Sequence, residues 1–284
     1  MSGDNLQKPA LQSYAEDLPV EVLDPVHSAQ YYSLVMPKPS EKLSRFVDHY
    51  WVMRWDVPGS QSFIAEVIPS AYINLTCMPE GAKVTGVTTG KYTYEVSGKG
   101  VIVGAKFLPG GYYAFTSQSA HLVTDKAVPA QQMFSRLSDE VNMKAIHAPS
   151  DSEAERVLEK VLLECDPTWN RSIKLVQTII KDIKKNDVVS VASVAEKYRL
   201  SERRLQELFR RYVGVSPKWV MLRYRLIRAT HAAVSQHMQN WTEIAHELGY
   251  SDQSHFVNDF KRIIGKTPKQ YAASVHDKVK TDKG

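Results

Sequence analysis

Residues 202–211 combine a helical apolar stripe with polar side chains that could read a nucleic acid. Leu205, Leu208 and Phe209 mark the inward face of a helix by their spacing. The outward positions are Glu202, Arg203, Arg204, Gln206, Glu207, Arg210 and Arg211. Arginine can grip guanine and glutamine adenine through paired hydrogen bonds, each worth about 1–3 kcal/mol of base discrimination. The alternative is an ordinary solvated surface, on which Glu207 pairs with Arg203 or Arg211.

A second stretch repeats this pattern about fifty residues later. Its outward side chains are Gln253, Ser254, His255 and Asn258. The residue pairs that repeat at an offset of 50 or 51 are Ala195 with Ala245, Phe209 with Phe260, Gly214 with Gly265, and Pro217 with Pro268. A repeat of this kind indicates two copies of one supersecondary unit.

Each copy reads as a short helix, a tight turn and a longer amphipathic helix that ends at glycine. Ser201 is the expected N-cap of the longer helix in the first copy, and Ser251, with Asp252 as an alternative, in the second. Residues 216–236 are long enough for one connecting helix. The sequence therefore predicts two helix-turn-helix units over residues 187–275, followed by a polar tail at 276–284.

These two copies resemble the DNA-binding domain of the AraC/XylS family. The matching positions of the second copy are Ala245, Gly249, Tyr250, Ser251, Ser254, Phe256, Phe260, Lys261, Gly265, Thr267, Pro268 and Tyr271. Those of the first are Ala195, Ser201, Leu205, Leu208, Phe209, Gly214, Ser216, Pro217, Arg223, Arg228 and Ala229. Most of these positions are explained by packing and helix termination, so recognition must come from the exposed residues.

The resemblance implies a role for each exposed side chain. Base reading falls to Arg203, Gln206, Glu207, Gln253, Ser254, His255 and Asn258. The residues expected to bind backbone phosphates, and so to position the domain without specifying sequence, are Arg204, Arg210, Arg211, Lys261, Arg262, Lys266 and Lys269. Two reading helices on one chain can enter successive major grooves about 34 Å apart, so a single chain is expected to read a non-palindromic site.

The N-terminal half has a different pattern. Between residues 40 and 115, short runs rich in Val, Ile, Tyr and Phe alternate with turn signals, which predicts an antiparallel sandwich or small barrel. The expected fold class is thus α+β, with a β-rich domain at 30–130, a helical segment at 131–186 and the all-α domain. The run from Phe107 to Gly111 resembles a small β-rich domain often fused to AraC-type DNA-binding domains and described as a presumed sensor.

A small-molecule effector would use aromatic rings and a few polar anchors of this domain. The candidate pocket residues are Trp51, Trp55, Glu66, Tyr72, Asn74, Lys106, Phe107, Tyr112 and Tyr113. The alternative is that these aromatic rings are sheet core.

Two amphipathic helices are predicted in the helical segment. Their apolar stripes are Ala154, Val157, Leu158, Val161 and Leu162, and Ile173, Val176, Ile179 and Ile180. These stripes could form the seam of a homodimer or could pack on the β-rich domain.

Charge is distributed unevenly along the chain. Residues 187–284 carry 17 Lys and Arg against 10 Asp and Glu, whereas residues 1–186 carry 19 against 21. The C-terminal excess would attract a polyanion. No apolar run approaches a membrane span, no signal pattern occurs within residues 1–29, which read as a polar arm, and the two cysteines suit a reducing, bacterial cytoplasm.

Enzyme chemistry finds little support in the sequence. The N-terminal histidines are scattered, without the closely spaced pair of a cupin-type metal site, and only Cys77 lies in the β-rich domain. We therefore expect no catalytic residue, metal or cofactor.

The expected function is regulation of transcription by sequence-specific binding to promoter or operator DNA, in response to an effector. An activator would also contact RNA polymerase. The alternatives are a nonspecific architectural DNA-binding protein, or a regulator whose N-terminal domain only dimerises or contacts the polymerase.

Overall fold

The computed structural model describes residues 32–59, 62–67, 69–90, 92–188, 190–235, 241–248, 250 and 252–273. The predicted arm at 1–29, the tail at 276–284 and the N-cap candidate Ser251 lie outside these residues. The strands are β1 (Tyr32–Val35), β2 (Val47–Asp56), β3 (Ser62–Val67), β4 (Asn74–Cys77), β5 (Lys83–Thr85), β6 (Tyr92–Ser97), β7 (Lys99–Phe107) and β8 (Ala127–Pro129). The helices are α1 (Gly111–Thr116), α2 (Asp139–Ile146), α3 (Asp151–Glu164), α4 (Arg171–Lys185), α5 (Val191–Lys197), α6 (Glu202–Tyr212), α7 (Pro217–Ser235), α8 (Trp241–Glu247) and α9 (Gln253–Ile264).

The N-terminal domain is built on a six-stranded antiparallel sheet in the order β1-β2-β7-β4-β5-β8, beside a two-stranded ribbon of β3 and β6. This confirms the predicted antiparallel, β-rich architecture. Tyr50 and Val52 of β2 point to the helical side of the sheet, while Trp51 and Trp55 point to the other side, because side chains alternate along a strand.

The Trp-bearing face depends on two glycines of β7. Trp51 lies opposite Gly104 and Trp55 opposite Gly100 in the strand register. A Cβ at either glycine would overlap the indole ring of its partner, so each ring occupies the space that the missing side chain leaves. Val96 of β6 packs against Trp55 in the same small cluster. The ribbon and the main sheet therefore share a second, smaller apolar layer.

The main apolar core extends beyond the N-terminal domain. It runs without a break from Leu43 through the sheet, α3 and α4 to Met221 at the start of α7. The stripe of α3 packs on β2 and β7, and α4 packs on α6 and α7. Of the two alternatives for the α3 stripe, packing on the β-rich domain is the one observed.

The apolar stripes of α3 and α4 are both buried within the chain. Ala154, Leu158, Leu162, Ile173, Val176 and Ile179 are each 0% exposed, with Val161 and Ile180 nearly so. These buried side chains are therefore not available as the seam of a homodimer. The first helix-turn-helix unit also shares its core with α4, so the predicted boundary after residue 186 divides a continuously packed region.

The second helix-turn-helix unit has a separate core. Phe256, Phe260, Ile263 and Ile264 of α9 are fully buried against Leu226 of α7 and residues of α8. The connecting helix α7 contributes to both cores, since Val220 belongs to the first and Leu226 to the second. The two units are therefore joined through one helix, as the repeat predicts.

Candidate nucleic-acid interface

Helix α6 presents the first predicted reading surface. Its N-cap is Ser201, whose side chain accepts a hydrogen bond from the Arg204 amide at 3.2 Å, as predicted. Leu205, Leu208 and Phe209 are buried, and this burial fixes the rotation of the helix. The predicted reading residues Arg203, Gln206 and Glu207 and the predicted phosphate ligand Arg204 are all exposed. The exposed face is therefore available to a large ligand.

Glu207 lies between two arginines on this face. Its carboxylate is 3.2 Å from Nε of Arg203 and 3.6 Å from Nη1 of Arg204. All three side chains are at least half exposed, so the ion pair is worth only about 0.3–0.5 kcal/mol. Of the two alternatives for Glu207, the structure shows the ion pair.

Helix α9 presents the second surface. Asp252 is its N-cap, with a side chain that accepts from the Ser254 amide at 2.9 Å, and Gly265 ends the helix with a φ of 81°. The alternative cap is thus the one observed. The exposed residues of the helix include every predicted one, namely Gln253, Ser254, His255, Asn258, Lys261 and Arg262.

Asp259 contacts three side chains on the side of α9 next to the reading residues. Its carboxylate accepts from Tyr250 OH at 3.2 Å and from Arg262 Nη2 at 2.7 Å, and lies 3.4 Å from Nε2 of His255. This carboxylate was not predicted, although its spacing from His255 and Arg262 fits one helical turn. Beyond the helix, Lys269 is exposed and Lys266 is half-buried.

The C-terminal end of α6 contacts the N-terminal domain. Arg210 donates from Nη2 to Nε2 of His121 at 2.9 Å. Arg211 donates to the hydroxyl of Tyr113, and its guanidinium carbon lies 4.9 Å from the centre of that ring. Both arginines were predicted as phosphate ligands, and both are exposed while making these contacts.

Helix α7 is also tied to the N-terminal domain. Arg223, only 2% exposed, donates from Nε to the carbonyl of Pro69 at 2.5 Å. Tyr224 OH lies 3.2 Å from Tyr72 OH, which in turn accepts from Nζ of Lys184 at 2.5 Å. Burial raises the pKa of the Tyr224 hydroxyl, which keeps it neutral. These contacts join the sheet, α4 and α7, and sequence reasoning missed them because their partners lie far apart in the chain.

The predicted pocket residues fall into two groups. Phe107 and Tyr112 are core side chains, 1% exposed, and the Phe107 ring stacks on Phe134 at 6.0 Å. Trp55 is nearly buried and donates from Nε1 to the Ser97 carbonyl at 3.1 Å. These placements support the alternative that the three rings are core.

Three of the remaining candidates lie on one face of the main sheet. Lys106 is two residues from Gly104 along β7, so its side chain lies on the same face as Trp51, which is opposite Gly104. Asn74 of β4 and His49 of β2 both lie opposite Lys106 and therefore share this Trp-bearing face. Nζ of Lys106 lies 4.2 Å from the centre of the Tyr72 ring. The side chain of Glu66 lies outside those that the structure describes.

The described part of the chain holds neither a cluster of metal ligands nor a membrane-spanning helix. Within it, no group of three His, Cys, Asp or Glu side chains could hold a metal ion. Among the same residues, no helix is long and apolar enough to cross a membrane.

Comparison with protein families matches two regions. Residues 194–274 match a family described as "Helix-turn-helix domain", and residues 36–129 match one described as "Domain of unknown function (DUF6597)". The C-terminal region is therefore a helix-turn-helix domain of the AraC/XylS type, and the resemblance seen in the sequence is confirmed.

Two curated relatives match part of the chain. The HTH-type transcriptional activator RhaS of Pectobacterium carotovorum subsp. carotovorum (strain PC1) is 27% identical over 126 residues, 43% of this chain and 45% of that protein. RhaS of Escherichia coli O139:H28 (strain E24377A / ETEC) is 34% identical over 84 residues, 29% of this chain and 30% of that protein. The chain thus spans less than half the length of either relative.

Among solved structures, the C-terminal domain of AraT, a response regulator from Geobacillus stearothermophilus, is 26% identical, with a TM-score of 0.34 over 37% of this chain and 88% of that chain. ToxT from Vibrio cholerae O395 is 13% identical, with a TM-score of 0.35 over 87% of this chain and 98% of that chain. Superpositions this loose add nothing to the fold described above.

Proposed function

We propose that this protein regulates transcription by binding a specific, non-palindromic DNA site through α6 and α9. The observation that supports this most strongly is the duplication itself: two capped helices, each buried on one side, expose Arg203 and Gln206 on the first copy and Gln253 and Asn258 on the second. These side chains are the types that pair with base edges. The matched RhaS proteins are named transcriptional activators, which favours activation here and RNA polymerase as a further partner.

Selection of bound sequences from random duplexes tests this proposal. The full-length protein is the appropriate reagent, because α4 packs on α6 and α7 and would be lost from a fragment beginning at residue 187. We expect a motif with two short elements, bound more weakly as salt rises. Enrichment of no motif at physiological salt would instead support the nonspecific architectural alternative.

We further propose that the N-terminal domain senses a small molecule at Trp51, Asn74 and Lys106. What supports this is their placement on one face of the sheet, where the strand register puts Asn74 opposite Lys106 and Trp51 opposite Gly104, two residues along β7 from Lys106. Helix α4 offers a route to the DNA-binding units. Its Gln177 donates to the carbonyls of Arg45 and Pro109 at 2.9 and 3.2 Å, while the same helix packs on α6 and α7.

A sensor must bind its effector with different affinity in the two DNA-binding states, because equal affinity shifts neither. A thermal-shift screen of metabolites, aromatics and cationic drugs on the full-length protein should find a compound that raises the melting temperature and changes affinity for the selected duplex. Asn74→Ala should abolish both effects, whereas Lys144→Ala, on α2, should retain them. A compound that stabilises the protein strongly without changing duplex affinity would refute the coupling.

A further inference from the structure

We propose that the N-terminal domain completes the DNA interface: His121 and Lys126, together with Arg210 and Arg211 of α6, bind one backbone phosphate of the duplex that α6 reads. This inference rests on the proposed DNA binding, and it assigns a nucleic-acid contact to a domain that the charge pattern alone would keep away from DNA.

Arg210 lies on the same face of α6 as the base-reading residues. Arg203, Gln206, Glu207 and Arg210 are spaced at i, i+3, i+4 and i+7, so they lie on one face of α6. Seven residues of helix span about 10 Å along the axis. The major groove is about 12 Å wide, so a side chain at that distance from a base-reading residue reaches the groove edge, where the phosphates lie.

The N-terminal domain lies beside this end of the reading face. His121 contacts Arg210 directly. Thr124 donates to the Gly214 carbonyl at 2.9 Å, and the Gly110 amide donates to the Tyr212 carbonyl at 2.9 Å. These bonds hold the Ala120–Leu122 turn against α6, and the exposed Lys126 donates from Nζ to the Leu122 carbonyl of this turn at 3.2 Å. A duplex on α6 would therefore meet the turn and Lys126 as well.

Arg210 and Arg211 differ from the other arginines of the two reading helices in how their charge is compensated. Arg203 and Arg204 meet Glu207, and Arg262 meets Asp259, whereas within the described residues no carboxylate pairs with Arg210 or Arg211. Their partners are a neutral imidazole and a phenol, which leave the positive charges uncompensated. Arginine retains further N–H donors in this arrangement, and phosphate is the ligand that suits them.

The imidazole of His121 is neutral in the arrangement that the structure shows. Burial, then the charges of Arg210 and Lys126, lower the pKa of this imidazole, so the ring is neutral when it accepts from Arg210. Its Nδ1 then carries the proton and donates to Ser119 Oγ at 2.7 Å. Both charged groups that act on His121 are cations, and a phosphate between them would favour the protonated ring. DNA binding would therefore take up a proton and strengthen as pH falls through the His121 pKa.

Three variants of the full-length protein test the site on the duplex obtained by selection. Lys126→Ala removes one cation of the site, and Lys144→Ala is the matched control, an exposed lysine of α2, which packs on α3 and the sheet. His121→Asn removes the titrating group. Affinity is measured against salt concentration at neutral pH, and against pH between about 5.5 and 7.5, the range in which an unperturbed histidine titrates.

We expect Lys126→Ala to reduce the slope of log affinity against log salt by about one, with uniform weakening across sequences, and Lys144→Ala to leave it unchanged. His121→Asn should flatten the pH dependence of affinity that the wild type shows over this range. The proposal is wrong if Lys126→Ala matches Lys144→Ala and His121→Asn keeps the wild-type pH profile. Tighter binding by either variant would also overturn it, because the domain would then compete with DNA. A wild-type protein without any sequence preference would refute the proposed function itself.

Discussion

The carboxylate of Glu207 meets the guanidinium of Arg203 at 3.2 Å, one turn along the exposed face of α6. Because Arg204 approaches the same carboxylate, Glu207 is held by two cations and adds a negative charge to the face proposed to meet DNA. We expect Glu207→Gln to tighten DNA binding several-fold with unchanged base preference, as measured by fluorescence anisotropy on selected and substituted duplexes. Loss of preference at a single C·G pair would show instead that Glu207 reads cytosine.

The two separate cores predict two unfolding units. Phe260→Ala should cost about 3–5 kcal/mol in the second helix-turn-helix unit, because a fully buried ring leaves a cavity there. Hydrogen exchange should then show faster exchange in α8 and α9 and unchanged protection in the sheet. Phe209→Ala, in the core shared with the N-terminal domain, should weaken protection in α4 and the sheet as well. Equal effects of both variants on the whole chain would refute this division.

The C-terminal domain was predictable because its signals are local. Glycine after an amphipathic run, serine before it and a repeat of about fifty residues define the helices, and the structure has them where these signals fall. In the N-terminal domain, strands β1 and β8 were missed, because both lie outside residues 40–115, where the strand pattern was recognised.

Contacts between Arg210 and His121 were beyond sequence reasoning, because 89 residues separate the partners and His121 lies outside any periodic pattern. The apolar stripe of α3 shows the same limit: periodicity identifies a buried face, but not the surface that covers it.

Asp182 couples α4 to α5. It accepts from Tyr198 OH at 2.5 Å and lies 2.7 Å from Nζ of Lys197. The hydrogen bond from Lys197 is the main cause that lowers the pKa of this carboxyl below its usual 3.8, with that from Tyr198 next. A lowered carboxyl pKa stabilises the folded state above pH 3.8, and this contribution is lost as pH falls through the folded-state pKa.

Asp182→Asn should therefore lower the free energy of unfolding by an amount that is constant between about pH 5 and 7 and shrinks in stronger acid. Urea denaturation at several pH values measures it. A difference that vanished already at neutral pH would mean that the ionised carboxyl contributes nothing.

Asp252 caps the second reading helix, so its removal should destabilise α9 and displace Gln253 and Ser254. We expect Asp252→Ala to cost about 1 kcal/mol and to weaken duplex binding, while Asp252→Asn, which keeps a capping oxygen, should behave nearly as wild type. Thermal denaturation and anisotropy titration of both variants provide the comparison. If Asn were as damaging as Ala, the carboxylate charge rather than the cap would be responsible.

The claim that one chain reads DNA with two helices is tested most directly by the base-preference profiles of Arg203→Ala and Gln253→Ala, obtained by the same random-duplex selection as wild type. Each variant should lose preference at one or two positions, by about 1–3 kcal/mol, and the affected positions should lie in different elements about one helical turn apart. Lys261→Ala, a phosphate ligand by position, should weaken all sequences alike. Unchanged preference in both base-reading variants, or loss at the same position in both, would contradict the account.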